Sequence, residues 1–124
     1  MAQAISEGAQ VDDAVVTLYS VDEADPSVID EAYAVALGCP SMGAEELEDA
    51  EFEPFYRSIR DKLSGKRLAL FGSYDWGSGE WMRTWQDDAE QAGAILLDDG
   101  LIVNLTPEDA DLLNCNLLGQ RLAG

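Results

Sequence analysis

The chain is short and strongly acidic: 124 residues carry 25 Asp and Glu against 7 Lys and Arg, with no His and a formal net charge of −18. That length predicts a single domain over residues 1–124 with one core, and the shortage of cations excludes binding to a nucleic-acid backbone. No segment has the apolar length of a membrane span, and residues 1–10 lack the pattern of a secretion signal. We therefore expect a cytoplasmic protein with no membrane partner.

The first third of the chain predicts two strands with a short helix between them. Ala14–Tyr19 is a β-branched apolar run, which is typical of a strand. Asp25 and Pro26 predict the cap and first residue of a helix over Ser27–Glu31. Ala34–Leu37 is apolar at every position, as strands buried on both faces of a parallel sheet tend to be.

The middle of the chain predicts helix, strand and helix. Glu51–Leu63 has apolar residues at helical spacing, and Leu68–Phe71 is a third apolar strand. Gly79–Gln91 predicts the next helix, with Trp81 and Trp85 one turn apart. Because rings at this spacing share one face of a helix, both are expected in the core.

The end of the chain predicts an interrupted strand and a last helix. Ala94–Leu97 and Leu101–Val103 form a fourth strand, with a turn signal at Asp98–Gly100 between its two parts. Thr106 starts the final helix as its cap, and the helix runs to about Leu122. Strands that alternate with helices in this way predict right-handed crossovers, a parallel sheet and an α/β fold.

Two glycine-bearing loops follow predicted strands, at residues 39–43 and 72–81. The carboxyl ends of parallel strands meet at one edge of a sheet, which is where open α/β sheets bind ligands. The loops carry Met42 and Trp76, and a polarizable and an aromatic side chain can hold a flat ring between them. The pattern predicts a cofactor pocket at this edge.

Both loops and their flanks resemble the short-chain, clostridial-type flavodoxins. The motifs that carry the resemblance are Gly38-Cys39, Met42-Gly43, Glu51-Phe52-Glu53-Pro54-Phe55, the run from Ala69 through Arg83, and Gln91-Ala92-Gly93. The likeness covers nearly the whole chain. It implies a flavodoxin-like three-layer α/β sandwich with strand order 2-1-3-4-5, FMN as cofactor, and low-potential electron transfer by a carrier rather than an enzyme.

The resemblance also implies which residues contact the flavin. Trp76 would stack on one face of the isoalloxazine ring, and Met42 would cover the other. Gly43 would present its carbonyl to flavin N5–H after a peptide flip, Glu45 would lie near N3, and backbone amides of residues 73–75 would face the pyrimidine edge. The full implied set is Ser41, Met42, Gly43, Ala44, Glu45, Ser73, Tyr74, Asp75, Trp76 and Gly77.

Two of these positions depart from the family pattern. Ala44 replaces a usual acid, and Asp75 replaces a usual glycine, where its side chain would strain the loop or add a carboxylate near the ring. Gly43 is equally typical of an ordinary turn, and Glu45 of a solvated acidic stretch. Both interpretations stay open from the sequence.

The family's opening strand and its Ser/Thr-rich loop for the FMN phosphate have no counterpart here. Residues 1–10 correspond instead to the end of the helix that follows that loop. The strand is central in the order 2-1-3-4-5, so its absence predicts a gap between Ala14–Tyr19 and Ala34–Leu37. Three outcomes are open: the sheet closes up, a second copy or a partner chain completes it, or the segment has no stable isolated fold.

The functional hypothesis is therefore an FMN-dependent electron carrier. Its negative field would disfavour the anionic reduced flavin and attract basic redox partner proteins, although such acidity is also typical of solubility or adaptation to salt. The alternative is a truncated or degenerate flavodoxin-like module that no longer binds FMN and serves as an interaction scaffold.

Two other classes of protein do not match the pattern. Cys39 and Cys115 are far apart and form no metal-binding or disulfide framework, so they are expected to be reduced thiols. A response-regulator receiver shares the strand order, but it needs an aspartate at the end of the central strand and a later lysine. The strand here ends in Gly38-Cys39-Pro40, and no lysine follows Lys66.

Overall fold

Helices and strands alternate along the chain in a computed structural model, which describes residues 1–10, 15–19, 23–38, 41–42, 46–47, 52–74, 80–97, 100–104 and 107–123. The helices are α1 (Ala2–Ala9), α2 (Ser27–Glu31), α3 (Phe52–Ile59, extended by a 3-10 turn at Arg60–Lys62), α4 (Glu80–Gln91) and α5 (Asp109–Ala123). The strands are β1 (Ala34–Gly38), β2 (Ser41–Met42), β3 (Glu46–Leu47), β4 (Arg67–Tyr74), β5 (Ile95–Leu96) and β6 (Leu101–Asn104).

The main sheet is parallel and is built around β4. On one side β1 pairs with residues 67–71 of β4. On the other side β5 pairs with residues 67–68 and β6 with residues 71–74. Because β5 and β6 pair with successive parts of the same strand, they are two parts of one interrupted strand, which confirms the sequence prediction.

Helices cover both faces of the sheet. Side chains along β4 alternate between the faces, as the two-residue period of a strand requires. Leu68 and Leu70 pack in a core with α2, α3 and α4, whereas Ala69 and Phe71 pack with α1 and α5. The predicted three-layer α/β fold with a parallel sheet is confirmed.

Large aromatic rings fill the layer between β4 and the helices α3 and α4. Trp85 is 2% exposed, and its ring lies against those of Phe52, Tyr56 and Trp81 at centroid distances of 5.3, 6.1 and 6.2 Å. Trp81 is also buried. The prediction that both tryptophans belong to the core is confirmed.

The opposite layer depends on close approach between the backbones of α1 and α5. A Cβ added at Gly8 would lie 1.9 Å from the carbonyl oxygen of Asn116, and one at Gly119 would lie 2.0 Å from that of Ile5. Each glycine therefore faces the backbone of the other helix. Cys115 is completely buried in the same layer as a free thiol.

The predicted strand at Ala14–Tyr19 is wrong for the part of it that the structure describes. Residues 15–19 form no strand, and the side chain of Val15 is 94% exposed. A β-branched run needs a neighbouring strand before it becomes part of a sheet, and none of the described strands pairs with it. The outer edge of β1 therefore has no strand partner among the described residues.

The third strand is longer than its apolar run predicts. Leu68–Phe71 was expected to be the whole strand, but β4 continues through Tyr74. The extra residues pair with β6, in the register Gly72 opposite Ile102 and Tyr74 opposite Asn104. Pairing with a distant segment, which local hydropathy does not encode, sets this boundary.

Helix boundaries follow the sequence prediction at α2, α3 and α4, and differ at α5. The side chain of Asp25 caps α2, because Ser27 N–H donates to its Oδ1 at 2.9 Å. The last helix begins at Asp109, later than predicted, and Glu108 N–H donates to Asp111 Oδ2 at 2.9 Å just before it. The predicted cap, Thr106, lies outside the described residues, as does Cys39.

Candidate functional site

The carboxyl end of β4 extends past the end of β1. Gly38, the last residue of β1, lies opposite Phe71, and β4 continues through residues 72–74. These residues, here named the β4 ledge, have β6 beside them on one side. On the side of β1 the described part of the sheet supplies no further strand. The ledge is therefore a stretch of extended backbone at the sheet edge where open α/β folds bind ligands.

A small antiparallel hairpin lies beside this edge. Ser41 pairs with Leu47 and Met42 pairs with Glu46. Strand β2 contacts β4, and β3 contacts α4. The hairpin therefore brings the backbone of the first glycine-bearing loop to the strand that leads into the second.

The predicted flavin contacts divide into two groups. Ser41 and Met42 lie in β2, and Ser73 and Tyr74 lie in the β4 ledge. The other predicted contacts, Gly43, Ala44, Glu45, Asp75, Trp76 and Gly77, lie outside the described residues. For all ten residues, contact with a ring stays a prediction.

Gly38 leaves room for the ring of Phe71, the residue just before the β4 ledge. A Cβ at Gly38 would lie 2.1 Å from the Cε2 and Cζ atoms of the Phe71 ring. The ring therefore occupies the space that any larger residue at the end of β1 would need. Sequence reasoning identified Gly38 as part of a family motif and missed this packing role, which only the sheet register reveals.

A second contact holds β6 at its place beside the ledge. Gly100 N–H donates to Gln86 Oε1 at 2.9 Å. A Cβ at Gly100 would lie 2.3 Å from the sulfur of Met82. Both partners belong to α4, so the start of β6 is fixed against that helix, and β6 in turn pairs with the ledge. Gln86 was not identified by its sequence pattern, because a polar residue on a helix carries no signal of a partner fourteen positions away.

A charged cluster joins α3 to α4 on the outer side of the aromatic layer. Tyr56 O–H donates to Asp88 Oδ2 at 2.7 Å, and Arg60 Nε donates to the same oxygen at 3.0 Å. Burial raises the pKa of Asp88, but the hydrogen bonds from Arg60 and Tyr56 outweigh it, so the net pKa is lowered. Burial and the bond to Asp88 raise the pKa of Tyr56 well above its ordinary value. The phenol is therefore protonated and the carboxylate ionised at neutral pH.

Cationic side chains gather at the edge of the sheet opposite to the ledge. Lys66 Nζ donates to the carbonyl oxygen of Ala32 at 2.6 Å, just before β4 begins. Arg67, the first residue of β4, donates from Nη2 to the carbonyl oxygen of Arg121 at 3.0 Å. Arg121 donates from its own Nη2 to the carbonyl oxygen of Leu97 at 3.0 Å. Three of the 7 cationic residues of this acidic chain thus lie away from the candidate site.

Two other kinds of site are absent from the described part of the chain. No described helix is long and apolar enough to cross a membrane. Within the same residues, no group of His, Cys, Asp and Glu side chains is arranged to hold a metal ion. The sheet edge with the β4 ledge and the hairpin is the candidate site because open α/β sheets bind ligands at the carboxyl ends of their strands.

Comparison with known proteins identifies relatives over most of the chain. A flavodoxin from Megasphaera elsdenii is 48% identical over 89 residues, which are 72% of this chain and 63% of that protein. A flavodoxin from Clostridium beijerinckii is 45% identical over 87 residues, which are 70% of this chain and 62% of that protein. The matched segments thus span less than two thirds of the length of these relatives.

Solved structures agree with the sequence relatives. The solution structure of two-electron reduced Megasphaera elsdenii flavodoxin has a TM-score of 0.88 and 38% identity, covering 98% of this chain and 87% of that one. The sequence profile of the flavodoxin family matches residues 1–117. The layers and the parallel sheet are thus parts of a shared architecture, and the chain belongs to the flavodoxin family.

Proposed function

We propose that this chain binds FMN at the carboxyl edge of its sheet and transfers electrons at low potential, as a carrier rather than an enzyme. The family match over residues 1–117 is the observation that carries the proposal. FMN supplies the redox chemistry when it is bound. The protein residues hold the ring, orient it and set the field around it.

The β4 ledge suits the polar edge of a flat ring. Extended backbone presents N–H and C=O groups in alternation, and the pyrimidine edge of a flavin carries both acceptors and donors. Ser73 and Tyr74 are the ledge residues predicted to meet that edge. The hairpin at β2 and β3 lies where it would flank the ring, with Met42 on it, and Trp76 is the predicted partner on the opposite face.

The charge distribution favours basic redox partner proteins at this edge. The chain carries a net charge of −18, while Lys66, Arg67 and Arg121 lie toward the opposite edge of the sheet. A strongly negative chain attracts a cationic surface, and the position of these three cations away from the cofactor side favours approach on that side. The same field disfavours added negative charge on a flavin and so lowers its potential.

A partner strand at β1 is a second proposal, favoured by a specific observation. The outer edge of β1 has no strand partner within the described residues, and the apolar side chains of Val15, Leu18 and Tyr19 are exposed. Unpaired sheet edges are templates for strand addition. A second copy of the chain or a partner chain completes the sheet here, which also suits the alternative of an interaction scaffold.

Sedimentation of the purified chain over a range of concentrations tests this second proposal. A dimer that forms as concentration rises, with slower hydrogen exchange in residues 34–38, supports completion by a second copy. If the chain is a monomer at every concentration, an added apolar peptide that can form a strand should slow hydrogen exchange in residues 34–38. That result supports completion of the sheet by a partner chain. Fast exchange under all conditions contradicts strand addition.

An FMN titration tests the main proposal, with flavin fluorescence as the signal. We expect saturable quenching by the wild-type chain and at least tenfold weaker binding after Trp76→Ala, a loss of about 1.4 kcal/mol. Tyr33→Phe is the matched control, because this exposed ring lies over the Arg67 guanidinium at the opposite edge. Asp75→Gly is expected to tighten binding.

Riboflavin distinguishes the ring site from a phosphate site. Equal affinity for riboflavin and FMN means that the protein binds the ring alone, and tighter binding of FMN means that a phosphate contact exists. The absence of quenching with either flavin contradicts the carrier and favours the interaction scaffold.

A further inference from the structure

Three oxidisable aromatic rings form a continuous path through the layer between α3 and α4. Trp81 and Trp85 lie on successive turns of α4 with ring centroids 6.2 Å apart and planes 23° apart. Tyr56 of α3 lies 6.1 Å from Trp85. All three are buried. Phe52 also contacts Trp85, but a benzene ring is far harder to oxidise and serves only as packing.

Hydrogen bonding gives this path a direction. The indole N–H groups of Trp81 and Trp85 are buried with no acceptor among the described residues. Tyr56 O–H, in contrast, donates to Asp88 Oδ2 at 2.7 Å. An oxidised phenol is a strong acid and releases its proton to a carboxylate, whereas an oxidised indole here has no described group to receive its proton. The loss of an electron is therefore most stable at Tyr56.

The two ends of the path lie in different places. Trp81 is in the first turn of α4, and strand β3 contacts that helix. In the sequence, the segment just before α4 carries Trp76, the predicted contact with the ring. Asp88, at the other end, has a side chain that is 42% exposed. The path therefore leads from the candidate site to solvent.

We propose that Trp81, Trp85 and Tyr56 carry an oxidising equivalent from the candidate site to the surface at Asp88. A one-electron oxidant at the site, of the class of photoexcited aromatic cofactors, takes one electron from Trp81. Trp85 then reduces Trp81, and Tyr56 reduces Trp85 as its phenolic proton moves to Asp88 Oδ2. A soluble thiol or ascorbate returns one electron to Tyr56, and Asp88 returns the proton.

The net result is one electron moved from the soluble reductant to the oxidant, with every side chain restored. The start of the path at a redox cofactor rests on the function proposed above. The path from Trp81 to Asp88 does not depend on it, because its rings and its proton acceptor belong to this chain. Such a path would protect a redox site from damaging oxidation.

Ultraviolet flash photolysis of the chain without flavin tests the path itself. Light ionises tryptophan directly, and a scavenger removes the ejected electron. We expect the tryptophan-radical absorption to decay at the rate at which the tyrosyl-radical absorption rises, and more slowly in deuterium oxide because a proton moves with the electron. Tyr56→Phe should abolish the delayed rise of the tyrosyl signal, leaving only the prompt signal of tyrosines that absorb the light directly, and lengthen the tryptophan-radical lifetime at least tenfold.

Two further variants keep the test decisive. Tyr33→Phe, which removes an exposed tyrosine outside the path, should leave both signals unchanged. Asp88→Asn keeps the shape of the side chain but replaces the carboxylate with a far weaker base, so the tyrosyl signal should rise several-fold more slowly. If Tyr56→Phe does not fold, Asp88→Asn still tests whether the electron reaches Tyr56 as its proton moves to Asp88. The proposal would be overturned if the tryptophan-radical decay is unchanged in Asp88→Asn and in any folded Tyr56→Phe protein. It would also be overturned if Tyr33→Phe loses the tyrosyl signal.

A visible-light flash after addition of FMN tests where the path starts, because visible light excites only the flavin. A tyrosyl signal that depends on Tyr56 supports a start at the bound cofactor. A signal with ultraviolet light alone supports the path and argues against FMN as its oxidant. Failure of the path and failure of flavin binding are therefore distinguishable.

Discussion

The two faces of the sheet are packed in opposite ways. On the α1–α5 face, Gly8 and Gly119 allow each helix to approach the backbone of the other, and a Cβ at either position would lie within about 2 Å of a carbonyl oxygen. On the α3–α4 face, Trp81, Trp85 and Tyr56 fill a wide space with rings. One layer has no room for an added atom, and the other depends on large side chains.

This difference determines how each face responds to substitution. Removing volume leaves a cavity, whereas adding volume to a close backbone contact forces two rigid elements apart. The α3–α4 face should therefore be sensitive to truncation, and the α1–α5 face to the addition of one methyl group. Substitutions on each face test this difference in sensitivity.

Trp85→Ala should cause the largest loss of stability. The ring is 2% exposed and contacts three other aromatic rings, and truncation of a buried Trp costs about 3–5 kcal/mol. Urea unfolding followed by circular dichroism measures the change. A loss below about 1 kcal/mol would mean that the layer collapses around the cavity and that the rings are not its main support.

Gly119→Ala should destabilise the chain although alanine is the better helix former. Helix propensity favours alanine by about 1 kcal/mol, but the new Cβ would meet the Ile5 carbonyl, and overpacking costs roughly 1–3 kcal/mol. We expect a net loss of up to about 2 kcal/mol. Leu113→Ala on the exposed face of α5 is the control, with a change of about 0.5 kcal/mol or less. A more stable Gly119→Ala protein would contradict the close approach.

Asp88→Asn should weaken the outer support of the aromatic layer by about 1 kcal/mol at neutral pH, because it removes charge-assisted hydrogen bonds at a half-exposed site. The folded pKa of Asp88 is lowered, so its contribution is present above the unfolded value, which is about 4, and is lost as pH falls through the folded value. Urea midpoints at pH 7 and in acid should show the variant and the wild type converging in acid. If the urea midpoints of the two proteins differ by the same amount at both pH values, ionised Asp88 is excluded as the source of the stabilisation.

The smallest effect is a change in thiol reactivity on the α1–α5 face. Cys115 is fully buried, and burial raises the pKa of its thiol, so little thiolate forms and iodoacetamide should label it slowly. Separation of the helices in Gly119→Ala should increase the rate, while Trp85→Ala should change it less if the variant stays folded. Peptide mass spectrometry measures this site separately from Cys39. Equal labelling rates of Cys115 in the wild type and in both folded variants would show that the two faces of the sheet open together.

Local patterns predicted the helices and the main strands because those patterns reflect which side of each segment is buried. The i,i+4 spacing of Trp81 and Trp85 was enough to place both in the core. The apolar run Ala34–Leu37 was enough to predict a strand covered on both faces. In these segments the local sequence alone determines both the secondary structure and which side chains are buried.

The candidate site was predictable only in outline. The family motifs and the strand-then-loop pattern indicated one edge of the sheet, and Ser41, Met42, Ser73 and Tyr74 lie in strands at that edge. The length of the β4 ledge could not be predicted, because it depends on pairing with β6 and on where β1 ends. Neither partner is encoded in the residues of the ledge.

By itself, the sequence determined the family, the burial of Trp81 and Trp85, and the order of the main helices and strands apart from residues 15–19 and the β2–β3 hairpin, since periodicity and motifs are properties of neighbouring residues. Only the tertiary structure decided that residues 15–19 form no strand, that β4 reaches Tyr74, and that Gly8 and Gly119 hold two helices together. Each of those features depends on a contact between segments far apart in the chain. A strand needs a neighbouring strand, and a glycine is indispensable only where another backbone occupies the space of its missing side chain.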